Sequence, residues 1–431
     1  MKKYTGFWLK RARNKAGLLQ KELSGDRFTR SYISMVEIGE ADLSTDAKIY
    51  ITRRLKIPKS YFDTGLFADE KKRLDELIIK IDILSDSKNY DEAHKLVKEA
   101  LSISKEAKND DYTNFLLLKL SRIYIEKKNL NKAEDILKKT NKYFKEEKDY
   151  KNLANSNYWT GILYLERKNY EDAIFLFNKA IEENSKLKKL DLSLKARSLV
   201  RIAQIYRQIE NYKGAKLNCL KAIKIAKKSK DDYILAMSYW EYSLLLHREG
   251  KYKEAIKYYN LAAPIYKKLG YERLYLGVII NLVSLYHYIK DYDKTIKLTS
   301  EIIKISEDKK YERELAYALL NGAKAKRDKG SLNKAESDLK KAIVLFEKLK
   351  DNRMLGEIYM ALALLYERKK ENDLAIKNFN KATNLFKNLS QPTYILSSYG
   401  EIIEFYKNIN NLNKEREYTK KLINKTKRIK F

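Results

Sequence analysis

A tyrosine or leucine, followed three residues later by a small residue, recurs at an almost constant interval along most of this 431-residue chain. The interval is 40 residues at every step except one step of 42. We call the recurring residues the anchors, and they are Tyr90, Leu130, Tyr170, Tyr212, Tyr252, Tyr292, Leu332, Asn372 and Leu412. Asn372 takes the place of the tyrosine or leucine in its repeat, and Glu415 takes the place of the small residue in the last repeat. A fixed period of this length is typical of a chain built from stacked copies of one supersecondary unit.

Each unit has the pattern of two amphipathic helices. Apolar residues recur three or four positions apart in two stretches, and a short polar turn such as KKN or RKN separates the stretches just before the anchor. The chain has only 3 prolines and 14 glycines, so little in it interrupts helices. We therefore predict an all-α protein in which helix A, a turn and helix B form each unit.

Small side chains occupy two fixed positions in helix B, where they let paired helices approach closely. They lie three and ten residues after the anchors, at Ala93, Ala100, Ala133, Ala173, Ala180, Ala215, Ala222, Ala255, Ala262, Ala335, Ala342, Ala375 and Ala382. This pattern resembles a tetratricopeptide array, whose usual period is about 34 residues. The resemblance implies a right-handed superhelix of about nine helix pairs over residues 67–431, with a concave inner wall.

Residues 1–66 do not follow the 40-residue period, and we predict a separate small domain there. Its pattern predicts short helices near residues 5–16, 18–24, 29–37, 45–55 and 58–63. Residues 18–39 have the length and apolar spacing of two helices joined by a tight turn, with Leu19, Leu23, Ile33 and Val36 facing inward. Gly25 supplies the turn, and Thr29 is the expected N-cap of the second helix.

The helix that Thr29 begins is the candidate for DNA recognition. The N-terminal end of such a helix enters the major groove in helix-turn-helix proteins, and here that end carries polar residues. We expect Gln20 and Lys21 to contact phosphates, and Arg30 is the first candidate for a base contact. The predicted DNA-binding residues are Gln20, Lys21, Thr29, Arg30, Ser31, Tyr32 and Ser34. Arg13 and Glu37 are interpreted as a structural ion pair.

This segment resembles the Xre/Cro-type helix-turn-helix domain over about 60 residues. The matching positions are Leu18, Gln20, Leu23, Thr29, Ile33, Ser34, Glu37 and Gly39. Arg27 stands where the family usually has glycine, and Leu19 where it has threonine, so the geometry of the turn is less constrained. A small helical bundle used for protein contacts remains an alternative interpretation.

The net charge is compatible with an anionic partner but does not identify one. The chain carries a formal charge of +32, and residues 1–66 hold 14 lysines and arginines against 7 acidic residues. Nucleic acid would match such a surface. A general bias toward lysine, asparagine, isoleucine and tyrosine explains the same composition.

A polar stripe on the A helices is the candidate ligand site. Residues 15, 11, 8 and 4 positions before each anchor, which we call the wall positions, form a stripe separate from the helix core. The side-chain amide of an asparagine can both donate to and accept from a peptide backbone. The guanidinium groups of Arg197 and Arg201 can together bind a carboxylate. The predicted peptide-binding residues are Lys119, Arg122, Asn155, Trp159, Arg197, Arg201, Gln204, Trp240, Glu241, Asn281, Ser284, Tyr317, Asn321 and Lys324. Trp159, Trp240 and Tyr317 would form apolar pockets, and Glu241 would meet a cationic group. A solvated inner wall without a ligand is the alternative.

Nothing in the sequence indicates catalysis. Cys219 is the single cysteine, and His94, His247 and His287 lie in separate units without a nucleophile, a phosphate loop or metal-ligand spacing. We expect no enzyme activity, no cofactor and no metal site. The sequence has no run of 18 apolar residues and no secretory signal, which predicts a cytoplasmic protein without a membrane partner.

An Xre-type domain joined to a long tetratricopeptide array resembles the RRNPP family, the peptide-responsive transcriptional regulators that include NprR and PlcR. The resemblance covers nearly the whole chain. It implies a quorum-sensing receptor for a short signalling peptide, usually a homodimer that binds double-stranded DNA at a pseudo-palindromic operator. Two related functions are the alternatives. One is a Rap-type module that binds or inhibits a response-regulator protein, and the other is a phage-borne peptide receptor that decides between lysis and lysogeny.

Overall fold

The computed structural model describes residues 2–389 and 392–427, and the regular structure in those ranges is entirely helical. A 3-10 turn, Lys2–Tyr4, precedes the first α-helix. The short N-terminal helices are α1 (Thr5–Lys15), α2 (Gln20–Ser24), α3 (Arg30–Ile38), α4 (Thr45–Arg54) and α5 (Tyr61–Thr64). The long helices of the first part are α6 (Ala68–Asp86), α7 (Tyr90–Glu106), α8 (Asp110–Glu126), α9 (Leu130–Glu146), α10 (Tyr150–Glu166), α11 (Tyr170–Ser185) and α12 (Leu192–Gln208).

The remaining helices belong to the second half of the chain. They are α13 (Tyr212–Ser229), α14 (Asp232–Arg248), α15 (Tyr252–Lys268), α16 (Glu272–Tyr288), α17 (Tyr292–Lys309), α18 (Glu312–Asp328), α19 (Leu332–Lys348), α20 (Asn352–Arg368), α21 (Asn372–Lys387), α22 (Pro392–Asn408) and α23 (Leu412–Lys427). The backbone divides into two compact units, Met1–Asn211 and Tyr212–Phe431, which we describe separately as unit 1 and unit 2.

The predicted all-α class and the repeat of helix pairs are confirmed. Each of the nine anchors is the first residue of a helix B, from Tyr90 of α7 to Leu412 of α23. In unit 1 the pairs α6–α7, α8–α9 and α10–α11 follow one another, and in unit 2 the pairs run from α14–α15 to α22–α23. The long helices from α6 on have 16 to 19 residues, which accounts for the period of 40.

Many of these helices begin on a side-chain cap. An asparagine or aspartate accepts a hydrogen bond from the backbone N–H three residues later, which satisfies a donor that the helix itself leaves unpaired. The caps are Asn89, Asn109, Asp149, Asn169, Asp191, Asp231, Asp291 and Asp351. The polar turns seen in the sequence are therefore start signals for the next helix.

The helices also end in a repeated way. The residue after the C-cap has a positive φ, as at Lys128 with φ 60°. Lys128 N–H donates to the Ile125 carbonyl at 2.9 Å, and Asn129 N–H donates to the Tyr124 carbonyl at 2.8 Å. This Schellman arrangement satisfies two terminal carbonyls, although glycine would adopt the left-handed conformation at lower cost.

The small residues of helix B lie in the core of each unit. Ala93, Ala133 and Ala173 in unit 1 and Ala255 and Ala335 in unit 2 are fully buried. Aromatic rings pack over them and over helical glycines; in unit 2, a Cβ on Gly356 would lie 2.3 Å from Cε1 of Phe386. Close approach of neighbouring helices therefore depends on the small side chains that the period revealed.

The N-terminal helices surround their own apolar cluster. Trp8 and Leu9 of α1, Leu23 of α2, and Ile33 and Val36 of α3 are buried in it. The expectation for Leu19 was wrong, because this side chain is 67% exposed. Helix α2 begins at Gln20, so Leu19 has an extended backbone at the N-cap, and Leu18 packs against the cluster instead.

Candidate functional site

The first candidate surface is the N-terminal end of α3, which we call the recognition helix. Thr29 is its N-cap, as predicted, and the Thr29 hydroxyl accepts a hydrogen bond from Tyr32 N–H at 3.1 Å. Arg30 and Ser31 follow and are exposed, while Ser34 is half-buried. Lys21 is exposed on α2, so positive and hydroxyl groups reach solvent on this side.

A hydrogen-bonded triad fixes the angle between α1, α2 and the recognition helix. Arg13 Nε lies 2.6 Å from Glu37 Oε1, and Gln20 Nε2 donates to Glu37 Oε2 at 2.9 Å. Arg13 Nη1 also donates to the Leu18 carbonyl at 2.8 Å. Hydrogen bonding to Glu37 raises the pKa of Arg13 above its ordinary value. The structural ion pair is confirmed, and one amide hydrogen of Gln20 is committed to Glu37.

Tyr32 has an internal role that the sequence did not reveal. Its hydroxyl donates to the Asp42 carbonyl and accepts from Ser44 N–H, both at 3.1 Å. Its ring stacks on Phe28 with a centroid separation of 5.4 Å. Tyr32 therefore holds the loop between α3 and α4, and its hydroxyl is already engaged on both sides.

A contact between the N-terminal helices and the array was also missed. The Trp8 indole Nε1 donates to the Ala107 carbonyl at 2.6 Å, and Asn109 Nδ2 donates to the Thr64 carbonyl at 2.7 Å. These residues are far apart in the sequence, and no local pattern marks them. The turn between α7 and α8 thus packs directly on α1 and on the end of α5.

The second candidate surface is the stripe of wall positions, and in unit 1 part of it is neutralised. Lys119 Nζ lies 2.6 Å from Asp82 Oδ1, and Arg122 Nη2 lies 2.7 Å from Asp86 Oδ1. Both aspartates belong to α6, at the wall positions 8 and 4 residues before Tyr90, whereas Lys119 and Arg122 lie 11 and 8 residues before Leu130. Lys119 and Arg122 therefore have carboxylate partners within the protein.

The neighbouring part of unit 1 is different. Trp159 is half-buried, with the Arg122 guanidinium 5.4 Å from its ring centroid. Asn155 Nδ2 donates to the Lys151 carbonyl at 2.9 Å. Among the described residues we find no hydrogen-bond acceptor for the amide hydrogens of Asn155 other than this carbonyl, and its Oδ1 is available to accept.

Arg197 and Arg201 of α12 pack on the same tyrosine. The Arg197 guanidinium lies 5.3 Å from the Tyr158 ring centroid, and its Nε is buried without a hydrogen-bond partner. Within the described ranges, Arg197 forms no ion pair. Arg201 Nε donates to the Tyr158 hydroxyl at 3.4 Å, and Arg201 Nη1 donates to Gln204 Oε1 at 2.9 Å. The predicted residues Arg197, Arg201 and Gln204 thus lie together.

In unit 2 the predicted residues occupy α14, α16 and α18. Glu241 is buried, and Trp240 is half-buried with an indole nitrogen that has no partner within residues 2–389 and 392–427. The Trp240 ring lies against the backbone of Gly277, where an added Cβ would be 3.0 Å from Cη2. Glu241 therefore offers little surface to a ligand, and Trp240 offers only part of its side chain.

The asparagines of unit 2 share one geometry. Asn281 Nδ2 donates to the Gly277 carbonyl at 3.1 Å, and Asn321 Nδ2 donates to the Tyr317 carbonyl at 2.9 Å. Ser284 Oγ donates to the Ile280 carbonyl at 3.3 Å. All three side chains are half-buried. The bond to the preceding turn fixes each amide and leaves its oxygen to accept a hydrogen bond.

In the part of unit 2 formed by α18 and α20, the charged side chains pair with one another. Lys324 Nζ lies 3.5 Å from Glu357 Oε2, and Arg353 Nη1 lies 3.2 Å from Glu357 Oε1. Arg353 Nη2 also donates to the Tyr317 hydroxyl at 3.2 Å. Tyr317 and Lys324 were predicted, whereas Arg353 and Glu357 were not, although both lie on the A helix of the next unit.

The described residues form neither a metal site nor a membrane-spanning helix. No group of three or more histidine, cysteine, aspartate or glutamate side chains is arranged to hold a metal ion there. None of the helices in that part of the chain combines the length and apolarity that crossing a membrane requires.

Comparison with protein families identifies the repeats. Tetratricopeptide repeat models match residues 84–156, 154–187, 194–268 and 356–388. A model of anaphase-promoting complex subunit 5 matches residues 247–320 and 290–370. The sequence matches none of the curated proteins. The tetratricopeptide matches lie within the region where the 40-residue period was found.

Solved structures with the same fold include bacterial signalling proteins. The apo form of RapI is 16% identical, covers 83% of this chain and 97% of its own, and gives a TM-score of 0.64. The apo quorum sensor NprR from B. thuringiensis is 16% identical over 83% and 99% of the two chains, with a TM-score of 0.60. A Rap protein complexed with competence and sporulation factor is 15% identical over 83% and 98%, with a TM-score of 0.53. At these identities the likeness establishes the fold.

Proposed function

We propose that this chain is a DNA-binding transcriptional regulator whose activity is controlled by a short signalling peptide. Residues 1–66 are the DNA-binding domain, and residues 67–431 are the tetratricopeptide domain that binds the peptide on the wall positions of its A helices. The fold shared with NprR, which is a quorum sensor, and with a Rap protein in complex with competence and sporulation factor supports this assignment.

The main observation in favour of peptide binding is that the charged Arg197 has no acidic partner among the described residues. Lys119, Arg122 and Lys324 also lie at wall positions, and each of them is within 3.5 Å of an acidic side chain. Arg197 has only the face of the Tyr158 ring and a buried Nε without an acceptor. A half-buried guanidinium without an acidic partner gains most from an anionic ligand, and a carboxylate matches its donor geometry. We assign Arg197 to a carboxylate of the peptide.

Asparagine oxygens would hold the peptide backbone. Asn155 lies at the same wall position as Arg197, one helix A earlier. Trp159, which is half-buried, follows one turn later on the same helix as Asn155. In unit 2, Asn281 and Asn321 present fixed amides of the same kind. Backbone contacts of this type give affinity without demanding a sequence, so Arg197 and Trp159 would supply most of the selectivity.

The peptide proposal is tested with a library of hexapeptides prepared with free or amidated C-termini and titrated calorimetrically into the full chain. Peptides with a free carboxylate should bind more tightly, and Arg197→Ala should weaken them by about 10-fold to 100-fold, the usual value of a charge-assisted hydrogen bond. Lys195→Ala, on the same helix but outside the wall positions, should change affinity less than twofold. Equal losses in both variants would contradict the assignment.

The DNA half depends on the exposed end of the recognition helix. Arg30, Ser31 and Lys21 reach solvent there, and the triad of Arg13, Gln20 and Glu37 fixes their support. Because Tyr32 is engaged with Asp42 and Ser44, we assign the base contact to Arg30 and retain Ser31 and Ser34 as secondary contacts. A homodimer with two such helices would bind a pseudo-palindromic operator.

Selection from random duplex DNA with the full chain tests this half. Binding should be sequence-specific and should weaken steeply with salt. Arg30→Ala should lose about 1–3 kcal/mol of binding free energy and relax the preference at one base pair. Lys59→Ala, exposed in the loop before α5, is the matched control. Failure to select any sequence would contradict DNA binding.

A Rap-type module is the second candidate, because RapI gives the higher TM-score of 0.64 over the same 83% of the chain. In that case the N-terminal helices would contact a response-regulator protein instead of DNA. The two functions are separated by presenting the full chain with selected duplexes and with a panel of receiver domains. Arg30→Ala would then reduce binding of one class of partner only.

A further inference from the structure

The turn between α7 and α8, residues 107–109, joins the first two helix pairs of the array and contacts the N-terminal helices. Trp8 Nε1 donates to the Ala107 carbonyl at 2.6 Å, and Asn109 Nδ2 donates to the Thr64 carbonyl at 2.7 Å. Trp8 is 2% exposed and Asn109 is 6% exposed. Buried bonds of this kind cost free energy when they are broken, because the donors would remain unpaired.

A separate set of contacts joins α1 to α6. Arg11 Nη1 donates to the Gly65 carbonyl at 2.7 Å, and the Arg11 guanidinium contacts both oxygens of Glu70, at 2.5 Å and 3.1 Å. Arg11 also lies 4.9 Å from the Phe67 ring centroid. Helix α1 is therefore held at two places, by α6 through Arg11 and by the α7–α8 turn through Trp8.

Gly65 shows how closely these parts fit. Its φ is +69°, and an added Cβ would lie 2.2 Å from Trp8 Nε1 and 2.7 Å from the Ala107 carbonyl oxygen. No side chain can be accommodated between α1, the end of α5 and the α7–α8 turn. The N-terminal helices are thus packed against the array, and the link between them is not a free tether.

The same helix α1 also sets the recognition helix. Trp8 and Arg13 are both on α1, and Arg13 binds Glu37 of the recognition helix. A change in the angle between α7 and α8 would therefore move α1, and with it the recognition helix, as one body. Packed elements of this kind pass on discrete shifts of their neighbours.

We propose that the α7–α8 turn is the regulatory contact of this protein, through which changes in helix packing within the array reach the recognition helix. Trp8 and Asn109 are the positioning residues of this contact, and neither touches the peptide or DNA surface. The inference is built on the proposed function, but the mechanical contact itself is tested without DNA or peptide.

The test is hydrogen exchange of the full chain, followed by mass spectrometry. Glu37→Gln loosens the N-terminal helices, and with the contact intact we expect faster exchange at residues 104–113, by at least threefold. With Asn109→Asp, which keeps the cap oxygen but removes the donor to Thr64, Glu37→Gln should leave residues 104–113 unchanged. Trp8→Phe, which removes the indole donor together with part of the buried ring, provides the second variant. An equal effect of Glu37→Gln in both backgrounds would overturn the inference, whatever the chain binds.

The matched control is Asn89→Asp, the same change at the N-cap of α7. Asn89 accepts from Glu92 N–H but donates to nothing in the N-terminal helices among the described residues. This variant should keep the wild-type response.

The regulatory role is tested with a peptide and a duplex found in the selections above. In the Asn109→Asp variant, the ratio of the DNA affinities with and without the peptide should be close to 1. The affinity for the peptide alone and the affinity for DNA alone should each change less than threefold. A preserved change would contradict regulation through this turn.

Discussion

The guanidinium of Arg13 and the carboxylate of Glu37 meet at two points, with Nε–Oε1 at 2.6 Å and Nη2–Oε2 at 3.0 Å. Their side chains are only 12% and 3% exposed. Glu37 receives a further hydrogen bond from Gln20, so one carboxylate connects α1, α2 and the recognition helix. Removing its charge leaves a partly buried cation without an anionic partner.

Glu37→Gln should therefore destabilise the N-terminal helices by about 3 kcal/mol. The measurement is urea unfolding followed by the fluorescence of Trp8 in a Trp159→Phe, Trp240→Phe background, which leaves one tryptophan in the chain. Glu40→Gln, an exposed change in the following loop, should shift the unfolding free energy by less than about 0.5 kcal/mol. A similar small shift for Glu37→Gln would show that the pair does not support this domain.

Several lysines at the helix ends have a left-handed backbone conformation, and its cost to the stability of the fold can be tested. Lys168 and Lys350 have φ of 59° and 54°, are exposed and form no ion pair within the described ranges. Glycine avoids the steric cost of this conformation, although it loses more chain entropy on folding. Each lysine-to-glycine change should stabilise the array by about 0.5 kcal/mol.

Alanine at the same positions provides the control, since it keeps the strained conformation. Thermal unfolding by circular dichroism should show a higher midpoint for Lys168→Gly with Lys350→Gly than for the corresponding alanine pair. Equal midpoints would mean that the turns do not retain the left-handed conformation in solution.

Periodic features of this protein could be predicted from its sequence, and contacts between distant residues could not. The period gives the start of every helix B because the polar turn and the anchor that follows it are local signals, and at Asn89 and Asn169 the turn also ends in a side-chain cap. Arg13 and Glu37 were also foreseen, because each position is fixed by the helix-turn-helix pattern. The error at Leu19 arose from a shift in the start of α2, which turned the side chain outward.

The candidate site was only partly predictable for the same reason. The wall positions follow from helix geometry, but the partners of Lys119 and Arg122 lie 37 and 36 residues earlier on α6. Whether a wall cation is neutralised or isolated depends on the side chain that the neighbouring unit presents. Trp8 and Ala107, 99 residues apart, carry no local signal at all.

The acid stability of unit 2 should depend on Glu336. Hydrogen bonds from Lys340 and then from Lys369 lower the pKa of Glu336 from 4.5 to about 2. The Nζ atoms of these lysines lie 2.7 Å and 2.5 Å from the carboxylate, and Tyr366 donates to it at 2.9 Å. Because the pKa is depressed in the folded state, the charged form contributes stability above the unfolded value, and this is lost as the pH falls from about 4.5 to about 2.

Glu336→Gln should lower the thermal midpoint at pH 7, and the difference from the wild type should become much smaller near pH 2, where about half of the wild-type carboxylate is protonated. Glu347→Gln, an exposed glutamate on the same helix, should give no such pH-dependent difference. A difference for Glu336→Gln that persists at pH 2 would indicate a packing defect and not the loss of a charge.

Substitution by alanine should have opposite effects on stability at two helical glycines of unit 2. An added Cβ on Gly356 would lie 2.3 Å from Cε1 and 2.8 Å from Cδ1 of Phe386, whereas a Cβ on Gly400 has no other atom within 4 Å. Alanine favours helix over glycine by about 1 kcal/mol, so Gly400→Ala should stabilise unit 2 by up to that amount. Gly356→Ala should instead destabilise it by about 1–3 kcal/mol, because the ring must move within a packed core.

Phe386→Leu distinguishes steric overlap from other causes. If the ring is the obstacle, Gly356→Ala should cost less in the Phe386→Leu background than in the wild type, and the coupling measured by chemical unfolding of the four variants should exceed about 0.5 kcal/mol. Additive changes would mean that α20 and α21 already separate enough to admit a methyl group. The approach of these two helices at Gly356 would then not limit the packing of the repeat.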